Sequence, residues 1–167
     1  MRMSIAIFCT AALLAWTSAY AQMLDSVAPR LIGTWKLKSH VQESVETGEK
    51  WLPRGEQPNG YFIFAPDGRM SAIIVPGSRA TPSDILPTDA EVVALMKNVS
   101  AYGGTYRVEN DRIVIAVDIS WEETATGTQQ VRYFKLDGDT LTITIPATKS
   151  RRNGKVSVST LVWERVR

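Results

Sequence analysis

Cysteine and histidine each occur only once in the 167-residue sequence, as Cys9 and His40. Because disulfides need pairs of cysteines, a scaffold held together by disulfides is excluded. Because structural zinc sites are built mainly from cysteine and histidine, a zinc site here would need carboxylates alone, which is uncommon. We therefore expect no metal and no other cofactor, and a fold that depends on packing.

The sequence also lacks an apolar run long enough to span a membrane. Its longest, Ile5 to Trp16, has about a dozen residues, whereas a spanning helix needs roughly 20. Arg2 precedes this run and the small-residue site Ala19–Ala21 follows it, a pattern typical of a secretory signal cleaved after Ala21. An uncleaved anchor is the alternative. The prediction is a signal peptide over residues 1–21, export to the periplasm or the medium, and no stable membrane insertion after cleavage.

No strong charge of either sign is present. The sequence has 19 basic and 17 acidic residues, and loss of Arg2 with the signal leaves 18 against 17. That balance gives no field for binding nucleic acid. The one basic cluster, "KSRRNGK" at Lys149 to Lys155, is either a solvated turn or a site for an anionic partner.

The remaining 146 residues (167 − 21) suit one domain over residues 22–167, and a monomer is expected. Runs with period-two alternation predict eight strands. They are A, Ile32–Ser44; B, Tyr61–Ala65; C, Arg69–Val75; D, Gly104–Val108; E, Arg112–Trp121; F, Thr128–Leu136; G, Thr140–Ile145; and H, Val156–Val166. Eight strands in one domain predict an all-β fold, a single up-and-down antiparallel β-barrel.

One short helix interrupts the strands, between C and D. Thr88 and Glu91 have capping-box spacing, and apolar residues then recur at helical intervals at Val92, Leu95, Met96 and Val99. We expect this apolar stripe to cap the mouth of the barrel.

The connections alternate between tight and long. "PDG", "END" and "DGD" join B to C, D to E and F to G as hairpin turns, while the other connections are long. In an up-and-down barrel successive connections fall at alternate ends. The pattern therefore predicts a closed end with tight turns and an elaborated mouth.

Strand A opens with "LIGTWKL", and its parity places Trp35, Leu37, Ser39 and Val41 on the inner face. Trp35 is then expected to lie across the barrel floor, and Gly33 to let the preceding segment fold tightly against it. The same parity places His40, the only histidine, on the outside as a surface residue.

Gly33-Thr34-Trp35 resembles the G-x-W signature of lipocalins. The wider pattern, with "PDGRMS", "GTYRVE", "RYFKLDGD" and "LVWERV", is similar to the bacterial and fungal lipocalin-like domain family. The resemblance implies an eight-to-ten-stranded barrel that binds small, mostly apolar molecules. It also implies a structural role for Gly33, Trp35 and Arg165, with the late arginine stacked on the tryptophan.

Hairpin pairing assigns the inner faces of other strands. If Leu136 pairs with Leu141, then Phe134 pairs with Ile143 and Arg132 with Ile145. The same argument pairs Phe64 and Phe62 with Met70 and Ala72, and Tyr106 with Ile115. Strand E would direct Ile113, Ile115, Val117, Ile119 and Trp121 inward. The predicted lumen is apolar and aromatic, with Arg132 as its one clear charge.

The candidate ligand-binding residues share an inward or mouth position; they are Arg132, Trp121, Tyr106, Phe62, Phe134, Ser39 and Trp51. Arg132 would meet an acidic group of the ligand, or else reach the rim or pair with Glu122, Glu123 or Glu43. No catalytic residue is assigned.

Three functional hypotheses follow. The leading one is a secreted or periplasmic protein that binds a small hydrophobic molecule, with or without an acidic group, in the lumen. The second is a small enzyme, an isomerase, cyclase or hydratase, for which a polar lumen with a carboxylate beside Tyr or Arg would be the sign. The third is a structural or inhibitory module with a filled core.

Overall fold

The structure, a computed structural model, describes residues 29–97, 99–150 and 154–167. The predicted signal segment, Cys9, and residues 151–153 of the basic cluster lie outside the described residues. Within the described ranges no helix has the length and apolar character needed to cross a membrane.

Within the described residues nine strands form one sheet. They are β1 (Gly33–Ser44), β2 (Lys50–Trp51), β3 (Asn59–Phe64), β4 (Arg69–Val75), β5 (Ser100–Glu109), β6 (Arg112–Ser120), β7 (Gln129–Asp137), β8 (Thr140–Lys149) and β9 (Val156–Arg165). The strands follow the chain order from β3 to β9, and β1 pairs with both β3 and β9. All pairs are antiparallel, so eight strands close into the predicted up-and-down barrel.

The eight predicted strands are confirmed, with ends that shift by a few residues. The short strand β2 was not predicted, because two residues carry no periodic signal. It lies against the mouth half of β1, where Gln42 pairs with Trp51.

The long connection from β4 to β5 contains a helix, as predicted. Helix α1 (Asp89–Met96) begins with the predicted capping box, in which Thr88 and Glu91 exchange side-chain to backbone hydrogen bonds. The prediction that its apolar stripe covers the lumen is wrong. None of its residues is buried, and none lines the cavity described below. The helix is held instead by its capping box and by the segment before it, where Ser83 donates to the Glu91 carboxylate and Arg79 to the Leu95 carbonyl oxygen.

Tight and long connections alternate as predicted. At one end Phe64 pairs with Met70, Glu109 with Arg112, and Asp137 with Thr140, so three short turns close that end. The long connections all lie at the other end, which is the mouth.

The floor of the barrel is built around Trp35, which is fully buried. Its indole Nε1 donates to the carbonyl oxygen of Leu31, 2.8 Å away, which draws the preceding segment across the floor. Arg165 stacks on the indole at 4.2 Å from the ring centroid and donates from Nη1 to the carbonyl oxygen of Ile32 at 2.8 Å. Gly33 has φ of +130°, and a Cβ there would lie 3.0 Å from Arg165 Nη1. These contacts bring Gly33, Trp35 and Arg165 together at the floor of the barrel.

The closed half of the lumen is filled. Leu136 pairs with Leu141, Phe134 with Ile143, and Tyr106 with Ile115, as predicted. The side chains that fill it are large, apolar and buried; they include Trp35, Leu37, Phe62, Phe64, Met70, Ile113, Ile115, Leu141 and Trp163. Phe62 and Phe64 stack with centroids 4.4 Å apart. This half of the barrel is a packed core rather than a binding site.

Candidate functional site

A cavity of about 410 Å³ occupies the mouth half of the barrel, above the packed core. Its apolar wall consists of Trp51, Pro53, Phe62, Ile74, Tyr102, Ile143, Ile145, Leu161 and Trp163. Its polar wall consists of His40, Gln42, Arg54, Ser100, Glu122, Arg132, Thr148, Ser150, Ser157 and Ser159. The size is that of a small-molecule site. The prediction of an apolar lumen with a single charge is wrong for this half.

A β-bulge in β1 is the first cause of the polar wall. Leu37 pairs with Trp163 and Ser39 with Val162, so Lys38 is an extra residue without a counterpart on β9. The extra residue reverses the parity of the strand above it. His40 therefore points inward and is only 6% exposed, which corrects its assignment to the outer surface. Ser39, predicted to face inward, does not line the cavity.

A second bulge lies in β6. Gly103 pairs with Ile119 and Gly104 with Val117, which leaves Asp118 as the extra residue. Beyond it the side chains of Ile119 and Trp121 are exposed on the outside, so their predicted inward orientation is wrong. The same reversal places Glu122 on the cavity wall.

A third bulge lies in β8, between Ile145 and Thr148, opposite Ser159 and Ser157 of β9. Thr148 then lines the cavity together with the two buried serines. Six polar residues from β1, β9 and the end of β8 form what we term the polar collar: His40, Gln42, Thr148, Ser150, Ser157 and Ser159. Within the collar Gln42 donates to Ser159 Oγ at 3.1 Å and accepts from Trp51 Nε1 at 3.1 Å.

Residues 52–58, here called the strap, follow β2 and contribute Pro53 and Arg54 to the cavity wall. Arg54 is only 4% exposed, and its Nη2 donates to Ser100 Oγ at 2.7 Å. The strap passes so close to Gly77 that a Cβ there would lie 1.6 Å from the carbonyl oxygen of Gln57. A buried arginine and a close backbone contact thus hold the strap against the end of β4 and the start of β5.

Arg132 lies on β7 opposite Ile113, with its side chain on the inner face. Its guanidinium donates to the side chain of Gln130 and, at 3.0 Å, to the carbonyl oxygen of Val131. Over residues 29–97, 99–150 and 154–167 no carboxylate lies within ion-pairing distance of it, so the expected alternative of a pair with Glu122, Glu123 or Glu43 is not realised there. The positive charge is held by neutral acceptors at the edge of the cavity.

The sequence matches the family model described as a lipocalin-like domain over residues 32–166. The chain belongs to the lipocalin-like domain family. Two solved structures are similar to this lipocalin-like domain. One is a lipocalin-like protein from Bacteroides uniformis ATCC 8492, with 13% identity, a TM-score of 0.43, and coverage of 81% of this chain and 98% of that one. The other is an uncharacterized protein from Bacteroides eggerthii DSM 20697, with 13% identity, a TM-score of 0.39, and coverage of 81% and 99%. No curated protein matches the sequence.

Three of the seven predicted ligand-binding residues line the cavity of the lipocalin-like barrel: Arg132, Phe62 and Trp51. Tyr106 lies at the closed end instead, where its hydroxyl donates to the carbonyl oxygen of Ala65 at 3.2 Å and burial raises the pKa of its phenol. Phe134 packs against the core without lining the cavity. Four of the seven predicted residues therefore lie away from the cavity wall: Tyr106, Phe134, Ser39 and Trp121. Whether any of them binds a ligand stays a prediction.

Several residues of the lipocalin-like site were not predicted, notably His40, Arg54 and Glu122. The inward positions of His40 and Glu122 depend on the bulges in β1 and β6. Only the second bulge had a sequence signal, the pair Gly103 and Gly104 on the neighbouring strand. Ser157 and Ser159 alternate with valines in strand H, so a polar inner face was readable there. Arg54 lies in a loop, where periodicity predicts nothing.

Proposed function

We propose that this lipocalin-like domain binds a small, largely apolar molecule that carries an anionic group, and holds it in the mouth half of the lumen. The observation that carries the proposal is the cavity of about 410 Å³, which is lined by both apolar and polar side chains, two arginines among them. A filled lumen, expected for a purely structural module, is not present above the core.

The cavity has an apolar surface that can take the apolar part of the ligand. Phe62, Ile74, Ile143 and Leu161 are buried and line it. Each 100 Å² of apolar ligand surface removed from water there would contribute roughly 2.5 kcal/mol. The wall is already shaped by the core beneath it, so little ordering is needed on binding.

The charges of the wall support the anionic group. Two arginines, Arg54 and Arg132, line the cavity with one carboxylate, Glu122, so basic side chains are in excess over acidic ones. Arg132 is held only by neutral acceptors, and a carboxylate, sulfate or phosphate oxygen would be a stronger partner for it. The ligand class proposed is therefore an amphiphile or aromatic acid rather than a neutral lipid.

Replacement of Arg132 by Met tests this assignment. We expect the affinity for a fluorescent fatty-acid probe to fall about 10- to 100-fold, the loss of one charged hydrogen-bonding partner. Affinity for the methyl ester of the same probe should not change. Lys135→Met is the matched control, because Lys135 lies on the same strand and is exposed. Equal binding of the acid by Arg132→Met and by the unaltered protein would show that Arg132 is not part of the site.

Native mass spectrometry tests the lumen as a binding site. If it detects neither a co-purified molecule nor a complex with the probe, the proposal that the lumen binds a ligand is wrong.

We also propose that the protein is exported to the periplasm or secreted. Arg2, the apolar run after it and the Ala19–Ala21 site support this. The intact mass of the protein purified from its natural host is expected to correspond to a chain that begins at Gln22. A mass that includes the first 21 residues would contradict export with cleavage.

Catalysis in the same lumen is the second candidate, favoured by one observation. Glu122 and Tyr102 line the same cavity as two arginines and the buried His40, which is the polar lumen that an enzyme on this barrel would need. If extracts of the host are incubated with the protein, a metabolite that is converted by the unaltered protein but not by Glu122→Gln would support it. If the extract changes only because a metabolite is bound by the protein in stoichiometric amount, catalysis is contradicted and only the binding proposal remains.

A further inference from the structure

One row of residues crosses neighbouring strands of the barrel wall at the level of the polar collar. Trp51 on β2 is opposite Gln42 on β1, and Gln42 is opposite Ser159 on β9. Ser159 is in turn opposite Ile145 on β8. Residues directly opposite each other point to the same face of a sheet, and all four line the cavity. The row therefore forms a band along the inside of the lumen, with Trp51 at one end.

Arg132 lies at the other end of this row. Tyr133 on β7 is opposite Thr144 on β8, so the next position toward the mouth places Arg132 level with Ile145. The row thus passes from β2 through β1, β9 and β8 to β7. Strands lie about 4.8 Å apart, so this path covers roughly half of the circumference of an eight-stranded barrel. Trp51 and Arg132 therefore face the lumen from opposite sides.

The Gln42 side chain fixes the orientation of the Trp51 ring. Its Oε1 accepts from Trp51 Nε1 and its Nε2 donates to Ser159 Oγ, each at 3.1 Å. An indole N–H can only donate, so the amide oxygen has to face the ring and the amide nitrogen has to face the serine. The backbone of β2 is attached to β1 by only two residue pairs. The bond from Gln42 adds to this weak attachment and keeps the ring in place before a ligand enters.

Trp51 gives the ligand site an aromatic surface. The residue is partly exposed and lines the cavity. Lys155, which precedes β9, places its Nζ 5.8 Å from the centroid of the ring, so a second contact restrains the same side chain. Trp35, by contrast, is fully buried in the floor and bonded to the backbone. Trp51 is thus an aromatic side chain that is both restrained and accessible from the cavity.

We propose that Gln42 is a positioning residue that holds the Trp51 ring as a flat wall opposite Arg132, so that the site prefers aromatic acids to aliphatic ones. This inference rests on the proposed function and narrows its ligand class. A flat ring stacks on the indole while its carboxylate reaches Arg132 on the other side of the lumen. A saturated skeleton of the same size buries a similar surface but gains no stacking.

Naphthoic acid and its saturated analogue, decahydronaphthoic acid, are the test ligands, because they share a carbon skeleton and a carboxylate and differ in the aromatic rings. Calorimetric titration gives both dissociation constants. In the unaltered protein we expect naphthoic acid to bind about 3- to 10-fold more tightly. In Gln42→Met the ring loses its orientation, and we expect this preference to disappear. Gln129→Met is the matched control, because Gln129 is exposed on β7 and does not line the cavity; it should keep the preference.

A conservative variant separates positioning from a general loss of structure. The carboxylate of Gln42→Glu can still accept from Trp51 Nε1, so the preference should be retained although the added negative charge weakens the binding of both acids. Trp51→Leu removes the ring and should abolish the preference, which keeps the test decisive if Gln42→Met does not fold. Urea unfolding of each variant establishes its folded state. In NMR spectra the Trp51 indole proton should exchange with solvent faster in Gln42→Met than in the unaltered protein.

Equal affinities for the two acids in the unaltered protein overturn the inference, and so does a preference that persists in Gln42→Met or Trp51→Leu. A preference that is lost in Gln42→Glu as well contradicts the positioning role of the bond to Trp51. Failure of the proposed function gives a different result, because neither acid and no fatty-acid probe would then bind to the unaltered protein. That result overturns both proposals together.

Discussion

In the closed half of the barrel, inward side chains recur at every second residue, and they are large, apolar and buried. In the open half, each of three strands carries one extra residue, and histidine, glutamine, serine and threonine line the lumen beside Arg54 and Arg132. The same strands run through both halves. The difference shows how a barrel separates tasks along its axis, since regular alternation fills one end and bulges leave a polar cavity at the other.

The two halves should differ most in stability when a large side chain is removed from each. Trp35→Ala is expected to lower the free energy of unfolding by about 3–5 kcal/mol, because the indole is fully buried and its loss leaves a cavity. Trp51→Ala, at the partly exposed mouth, should cost about 1 kcal/mol or less. Urea unfolding of both variants measures the two values. Similar losses at both sites would mean that the mouth is as much a structural core as the floor.

The bulge in β6 can be tested with a pair of neighbouring glycines. A Cβ at Gly104 would lie 2.0 Å from the backbone carbonyl oxygen of Ala116, so Gly104→Ala must displace the bulged strand and is expected to cost about 2–3 kcal/mol. At Gly103 a Cβ would lie 3.3 Å from the Ile119 side chain and from the Met70 carbonyl oxygen. Gly103→Ala should therefore cost about 1 kcal/mol or less. Comparable urea midpoints for the two variants would contradict a specific need for glycine at the bulge.

The smallest effect is expected outside the barrel wall, at the start of α1. The Glu91 carboxylate accepts from the backbone N–H groups of Ser83 and Thr88, which lowers its pKa to about 2. Because the pKa is lowered, the contribution of the charged group is complete above its ordinary value of 4.5 and is lost as the pH falls through about 2. In an NMR titration the amide protons of Ser83 and Thr88 should shift with a midpoint near 2. A midpoint near 4 would contradict the local bonding, and Glu91→Gln should abolish the shift while the barrel amides remain unchanged.

The closed half could be predicted from sequence because it depends on a local rule. Once a tight turn fixes the pairing of Leu136 with Leu141, every second residue away from it has a determined face. The floor followed in the same way from Gly33 and Trp35 at the head of a strand.

The open half could not be predicted in this way, because one inserted residue reverses every assignment beyond it. His40 and Trp121 were placed on the wrong faces for this reason alone, although the strands that carry them were located correctly. A bulge is decided by the partner strand and by close backbone contacts such as that of Gly104 with Ala116, and neither is visible in the alternation of a single strand. The helix was located from its caps, but caps do not tell whether an apolar stripe finds a surface to pack on.

The edge of β1 that faces β3 is paired over only part of its length. Near the floor, residues 33–36 pair with β3, whereas near the mouth this edge pairs only with the two residues of β2. The other edge of β1 pairs with β9 at nine positions. The barrel wall therefore has a seam, where displacement of β2 and the strap breaks two residue pairs and the Arg54 bonds to Ser100 and the Ile74 carbonyl oxygen, instead of nine residue pairs. A molecule wider than the mouth would enter and leave through this seam, and fast amide hydrogen exchange at Gln42 and Trp51 relative to β9 would locate it.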